Sequence, residues 1–216
     1  LLASQKAQAL LDVLLQELKQ RGLLKTRGQQ RTDSTHVLAA VRQLSRLEFI
    51  GETMRRALNE LAAVQPQWLP TVIPGDWYPR YAQRFDNMRL PRERGARERL
   101  IETIGVDGQQ LLSRIYALDA PERDVLRLLP GVEMLRRVWL QQFWTDNHGD
   151  GTSHIRLRTE ENEPPCESRI HSPYDEDARY SVKRKTAWVG YKAHMTETCE
   201  DDQVNLVTHV ETTTAI

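Results

Sequence analysis

The order of apolar and polar positions divides the chain into a helical first two-thirds and a strand-rich remainder. Over residues 4 to 24, Leu10, Val13, Leu14, Leu18 and Leu24 recur at helical spacing, which predicts an amphipathic helix. Gly22 and the polar run Lys25 to Gln30 end it. Residues 31 to 41 suit a strand, because Thr32, Thr35 and Val37 are β-branched. The helical period returns from about Leu44 to Val64 in Leu44, Leu47, Ile50, Met54, Leu58 and Leu61. Pro66, Pro70, Pro74 and Gly75 then punctuate a loop. Further helices are expected over 92–105, 107–117 and 121–144. Asp107 suits an N-cap ahead of Leu111, Leu112 and Ile115, and Pro121 lies where a first-turn proline is tolerated. Val132, Leu135, Val138, Trp139 and Phe143 form one strongly apolar face.

The character changes after Asn147. Gly149, Gly151, Pro164, Pro165 and Pro173 mark residues 146 to 177 as a loop-rich connection. Two short runs of β-formers follow, Trp188–Met195 and Val204–Val210. The polar link between them, with Glu197, Glu200, Asp201 and Asp202, suits a hairpin.

Composition adds bounds to this outline. Hydrophobic residues make up 39% and charged residues 28%, which suits a soluble globular protein rather than a disordered one. The 216 residues allow one large domain or two small ones. Net charge is zero, so only local charge speaks about partners. No apolar run approaches the roughly 20 residues of a membrane-spanning helix, and no signal peptide opens the chain. Cys166 and Cys199 fit no paired-thiol pattern and read as reduced thiols. Leu1 already lies in a helical pattern and Ile216 follows a strand-like run, so both ends are expected to be cuts.

Three features could carry chemistry. Asp33 lies mid-strand, where a carboxylate is costly unless solvated, paired or bound to a cation. Carboxylates that hold divalent ions serve nucleic-acid strand transfer, although an Asp-Ser-Thr triplet also suits a turn or a helix cap. Second, Arg179, Lys183, Arg184, Lys185 and Lys192 cluster with no acid between them, interleaved with Tyr180, Trp188 and Tyr191. Such a segment can contact phosphates and stack on bases, or it can be a solvated strand end with its aromatics in the core. Third, Arg80, Arg84, Arg89, Arg92, Arg94, Arg97 and Arg99 stand against Asp86, Glu93 and Glu98. A solvated helix with ion pairs such as Glu93 with Arg97 is favoured there over a DNA-tracking face. The histidines and cysteines have no zinc spacing, and there is no phosphate-binding glycine loop or nucleophile elbow.

The stretches Thr32–Arg42, Leu47–Leu58 and Leu135–Phe143, and above all Ser172–His194 continuing through Thr196–Cys199 into Leu206–Thr213, resemble the catalytic domain of a group of bacterial insertion-sequence DDE transposases. The resemblance implies an α+β fold: a partial RNase H-like sheet with N-terminal helices and a large helical insertion between its first and second strands. On that reading, residues 1–28 are a helical N-terminal segment and 29–41 the first strand. Residues 42–145 are the insertion, and 146–216 a loop and β-hairpin that pairs with the first strand. The last strand is expected to present an unpaired edge or an exposed apolar face.

The activity implied is Mg²⁺- or Mn²⁺-dependent DNA cleavage and joining at transposon ends. In it, water attacks a phosphodiester and the freed 3′ hydroxyl then attacks target DNA. Asp33 would be the first of three catalytic acids and a metal ligand, the other two lying beyond Ile216, so this chain alone is expected to be inactive. Arg179, Lys183, Arg184, Lys185 and Lys192 would contact transposon-end and target DNA. A cytoplasmic, nucleoid-associated location without a membrane is implied, and a homodimer is admitted. A non-catalytic DNA-binding remnant and another RNase H-like nuclease stay open as alternatives.

Overall fold

The computed structural model describes residues 2–25, 27–39, 44–147, 153–159, 161–165, 168–183, 185–201 and 204–215. In chain order the elements are α1 (Leu2–Gln20), β1 (Gln30–Leu38), α2 (Arg46–Val64), α3 (Leu69–Val72), α4 (Trp77–Tyr81), α5 (Arg94–Ile115), α6 (Arg123–Leu128), α7 (Pro130–Gln142), β2 (Phe143–Asn147), β3 (Ser153–Leu157), β4 (Arg179–Lys183), β5 (Thr186–Thr198) and β6 (Val207–Thr214). The fold is mixed α and β, with small antiparallel sheets. Among the described residues no helix is long and apolar enough to cross a membrane. Two compact units emerge: Leu1–Ala40 together with Arg179–Ile216, and Val41–Ala178. The second is inserted into the first along the chain.

The inserted unit is a helical assembly built on α2, α5 and α7. A capping box starts α2: the Ser45 hydroxyl accepts the Glu48 N–H, and the Glu48 carboxylate accepts the Ser45 N–H at 2.8 Å. Its apolar period then buries Leu47, Ile50, Met54, Leu58 and Leu61. In α5, Gly105 and Gly108 let α7 come close. Trp139 donates from its indole N–H to the Gly105 carbonyl at 2.8 Å, and a Cβ at Gly108 would fall inside the Trp139 ring.

Several expectations need correction in this unit. The helices foreseen over 92–105 and 107–117 are one continuous α5. Asp107 does not cap it. Its carboxylate is buried in mid-helix, where it accepts the Tyr81 hydroxyl at 2.6 Å and pairs with Arg80. Burial outweighs those two partners and pushes the Asp107 carboxyl above its ordinary value. The helix foreseen over 121–144 is split into α6 and α7 by Pro130, which occupies the first turn of α7. The stretch 146–177 also contains β3, paired antiparallel with β2 through Phe143↔Leu157 to Asn147↔Ser153.

The arginines of 80–99 are spread over α4, a loop and the start of α5. Arg84 pairs with Asp86 at 2.9 Å, Arg94 with Glu98 at 2.8 Å and Arg99 with Glu93 at 3.6 Å. Ion pairing is therefore the rule here, although Arg97 turns to the Ser45 hydroxyl at 3.4 Å rather than to Glu93.

A second buried carboxylate ties the insert together. Glu52, on α2, accepts the Phe85 N–H at 2.6 Å, the Arg55 guanidinium at 3.0 to 3.1 Å and the Tyr174 hydroxyl. Burial pushes its carboxyl up, but Arg55, Tyr174 and the Phe85 N–H together hold it below the ordinary value.

The sheet unit is organised around the 13-residue β5. On one edge β1 runs antiparallel to it, from Gln30↔Thr198 to Leu38↔Gly190. The other edge is shared: β4 pairs with the first part of β5, from Lys183↔Thr186 to Arg179↔Gly190, and β6 with the remainder, from Tyr191↔Thr214 onward. The hairpin expected from the runs Trp188–Met195 and Val204–Val210 pairs with the first strand, while β4 is a strand that the pattern of β-formers does not predict. Among the described residues the outer edge of β1 has no partner strand. Eight of its nine residues are exposed, which leaves this strand on an open flank.

Candidate functional site

Opposed residues of an antiparallel pair share a face and successive residues alternate, so the register places each candidate. Asp33 stands in a row with Met195 and Val210. Its neighbours on the same face include Arg31 opposite Glu197, and Thr35 opposite Ala193. Tyr180, Val182, Val37, Met195 and Val210 leave that face partly apolar and exposed. The other face carries Thr32 opposite Thr196, whose hydroxyls meet at 2.8 Å, Ser34 opposite His194, and His36 opposite Lys192.

Gly190 creases the sheet. A Cβ there would fall inside the Val37 carbonyl oxygen, so only glycine lets β1 pass so close. The Trp188 indole N–H donates to the Tyr191 carbonyl at 3.3 Å, a contact that requires a bend in between. In register, Trp188 lies four residues from the partner of His36, about 13 Å along a straight strand. Instead the two rings meet at 5.2 Å between centroids, tilted by 41°. The same curl brings Lys183 to the first strand: its ammonium donates to the Ser34 carbonyl and lies 3.9 Å from the Asp33 carboxylate.

The expected site residues therefore divide. Asp33 is almost fully exposed, at 94% for its side chain, and accepts the N–H of Ser34 at 2.7 Å. Lys183 is brought to it. Lys185 is exposed in the turn between β4 and β5. Arg179 and Lys192 are half-buried and have partners of their own. Arg184 lies outside the described residues, as does Cys166. Of the interleaved aromatics, Trp188 is buried against His36 while Tyr180 stays exposed. The meeting of Lys183 with Asp33 had no signal in the sequence, since 150 residues separate them and only the crease at Gly190 joins them.

A divalent ion prefers several oxygen ligands. Asp33 brings one carboxylate, the nearby Glu197 is taken by Arg31 at 2.7 Å, and a lysine ammonium stands beside it. Among the described residues no group of three His, Cys, Asp or Glu gathers to hold an ion. The described residues thus do not by themselves fit Mg²⁺ or Mn²⁺. What the arrangement offers chemically is a creased, open-flanked sheet whose hairpin presents cations next to a solvated carboxylate. No family model, no curated protein and no solved structure matches the chain.

Proposed function

We propose that this chain is the DNA-engaging part of an insertion-sequence transposase of RNase H-like fold, with Asp33 as its first catalytic acid. One observation carries the reading. Asp33 sits at the middle of a first strand that pairs antiparallel with β5, which pairs antiparallel with β6, and a helical insert separates the first strand from the rest. This is the arrangement expected from the resemblance of Ser172–His194 and its flanking stretches to the transposase group. The cationic hairpin lies on the same sheet and provides phosphate contacts through Lys183 and Lys185, with Arg184 between them in sequence. The reading requires two further acids, with Mg²⁺ or Mn²⁺, before joining chemistry can occur.

A second reading, non-catalytic DNA binding, is favoured by the lack, among the described residues, of further acids gathered around Asp33 and by the Lys183 ammonium beside it. One experiment tests both. Duplex binding by the whole chain is measured across a salt series, for wild type and for a variant with Lys183, Arg184 and Lys185 all neutralised. Each lost phosphate contact flattens the slope of log affinity against log salt by about one unit, so the variant should lose up to about three. An unchanged slope removes the hairpin from the DNA-facing surface. Joining of transposon-end DNA is then assayed with the chain continued by sequence bearing the two further acids. The catalytic reading expects Asp33→Asn to abolish joining with duplex affinity retained. Joining that survives Asp33→Asn removes Asp33 from the catalytic set.

A further inference from the structure

A cleft of about 380 Å³ opens in the inserted unit where α5, the end of α7 and the β2–β3 hairpin meet. Small-molecule sites occupy about 300–1,000 Å³. Trp139 and Phe143 are buried in its floor, with their ring centroids 5.2 Å apart. Leu140 and Trp144 stand at its rim, 62% and 39% exposed. Gln109 on α5 and Thr145 on β2 add an exposed amide and an exposed hydroxyl. Two guanidinium groups reach the cleft, and they differ in what balances them. Arg136 is matched by Glu133 at 2.7 to 2.8 Å. Arg158 has only carbonyl partners among the described residues.

Those carbonyls fix Arg158 in place. Its backbone N–H donates to the Gln142 carbonyl at 2.8 Å. Its Nε donates to the Leu140 and Phe143 carbonyls at 3.2 and 3.1 Å, and its Nη1 to the Asn162 carbonyl at 3.2 Å. The acceptors at the end of α7 are of the kind that a helix leaves unpaired. They set the plane of the guanidinium without compensating its charge, and Nη2 donates to no group among the described residues. A half-buried, pre-set guanidinium beside an aromatic wall is complementary to a planar ring that carries an anion. Phosphate oxygens suit the free N–H groups, and a base suits the aromatic wall. We infer that this cleft binds a nucleoside phosphate, with its base against Trp144 and the apolar floor and its phosphate on Arg158. The same chemistry is offered by a free nucleotide and by an unpaired nucleotide of a DNA strand. The cleft is built only from residues of the inserted unit, so the inference does not rest on the roles given to Asp33 and the cationic hairpin.

The test is calorimetric titration of the whole chain with deoxyadenosine monophosphate, which should bind with dissociation at about 10⁻⁴ to 10⁻³ M. Deoxyadenosine and deoxyribose phosphate each lack one half of the ligand and should bind about tenfold more weakly or worse. Trp144→Ala removes a rim ring and should weaken the monophosphate by about fivefold or more. Arg158→Gln, with its fold checked by circular dichroism, should reduce the monophosphate to the level of deoxyadenosine. Ser113 is exposed on the cleft wall and its hydroxyl bonds only the Gln109 carbonyl, at 2.8 Å, so its charge variants keep the fold. Ser113→Glu should weaken the monophosphate by about two- to tenfold and Ser113→Lys should strengthen it, both effects fading at high salt. Deoxyadenosine should respond to neither. The variant with Lys183, Arg184 and Lys185 neutralised should bind the monophosphate as wild type does. A single-stranded oligonucleotide and a blunt duplex then identify the source. Weakening of the single strand alone by Trp144→Ala assigns an unpaired nucleotide of DNA, and weakening of the monophosphate with no effect on either DNA assigns a free nucleotide. Absence of binding up to about 10 mM monophosphate, or binding that ignores both Trp144→Ala and Ser113→Glu, overturns the proposal. Equal weakening of single strand and duplex also overturns it, because a paired base cannot enter the cleft.

Discussion

Two buried carboxylates in the helical insert respond to acid in opposite directions. Glu52 is held below the ordinary carboxyl value against the burial that pushes it up, because Arg55, Tyr174 and the Phe85 N–H all bind its ionised form. Its contribution to stability is present above the unfolded value and is lost as pH falls through the lower folded value. Asp107 is raised by burial despite Tyr81 and Arg80. Its contribution is present below the unfolded value and is lost as pH rises through the higher folded one. Replacing Glu52 with Gln should cost about 3–5 kcal/mol at neutral pH, since Arg55 loses its counter-charge in a buried setting. It should also flatten the acid-side fall in stability. Asp107→Asn should steepen that fall, because it removes the opposing contribution. Urea unfolding from pH 3 to 7 on both variants checks the signs. A shift of the same sign in both would refute the opposed assignment.

At the scale of elements, local pattern and long-range contact compete, and glycine shows which wins. Gly108→Ala should raise the intrinsic helix preference of α5 by about 0.5–1 kcal/mol. The added methyl would collide with the Trp139 ring, and overpacking of this kind costs about 1–3 kcal/mol. Packing is the larger effect, so the variant should be less stable. A thermal melt of Gly108→Ala above wild type would mean that α7 moves aside freely. The same competition explains what was legible in the sequence. The apolar periods of α1 and α2 and the β-branched run of β1 are local signals, and the elements lie close to where those signals put them. Asp107 misled because an N-cap and a buried, paired acid look alike until Tyr81 and Arg80 are seen beside it. The strand β4 was hidden because Lys183 and Arg179 gave its stretch a charge pattern stronger than its alternation. At the candidate site, Asp33 could be singled out from its position in a strand. The approach of Lys183 could not, because it depends on a crease at Gly190 that is written in no local spacing.

At the scale of the whole molecule, one chain makes two units, and the sheet unit is assembled from both termini of the described chain. Leu38 and Arg179 flank the same residue, Gly190, on opposite edges of β5. Those two positions, where the chain leaves the sheet and returns to it, are therefore about 10 Å apart, two strand spacings. The sheet thus sees residues 41–178 as a loop whose ends must meet. When that loop is a folded unit, its ends are already held and little freedom is lost on closure. If it unfolds, the sheet must confine the ends of a long flexible segment. Relative to a loop of ten or so residues this costs about 2 kcal/mol in chain entropy. The helical insert is therefore a stabiliser of the sheet through connectivity alone, without any need for an interface. Glu52→Ala acts inside the insert, so it offers a clean handle. Under mild denaturant that unfolds only the insert, amide exchange along β5 should accelerate by about 30-fold, the equivalent of that entropy. Unchanged exchange in β5 would show that the open-flanked sheet closes on itself regardless of what its chain encloses.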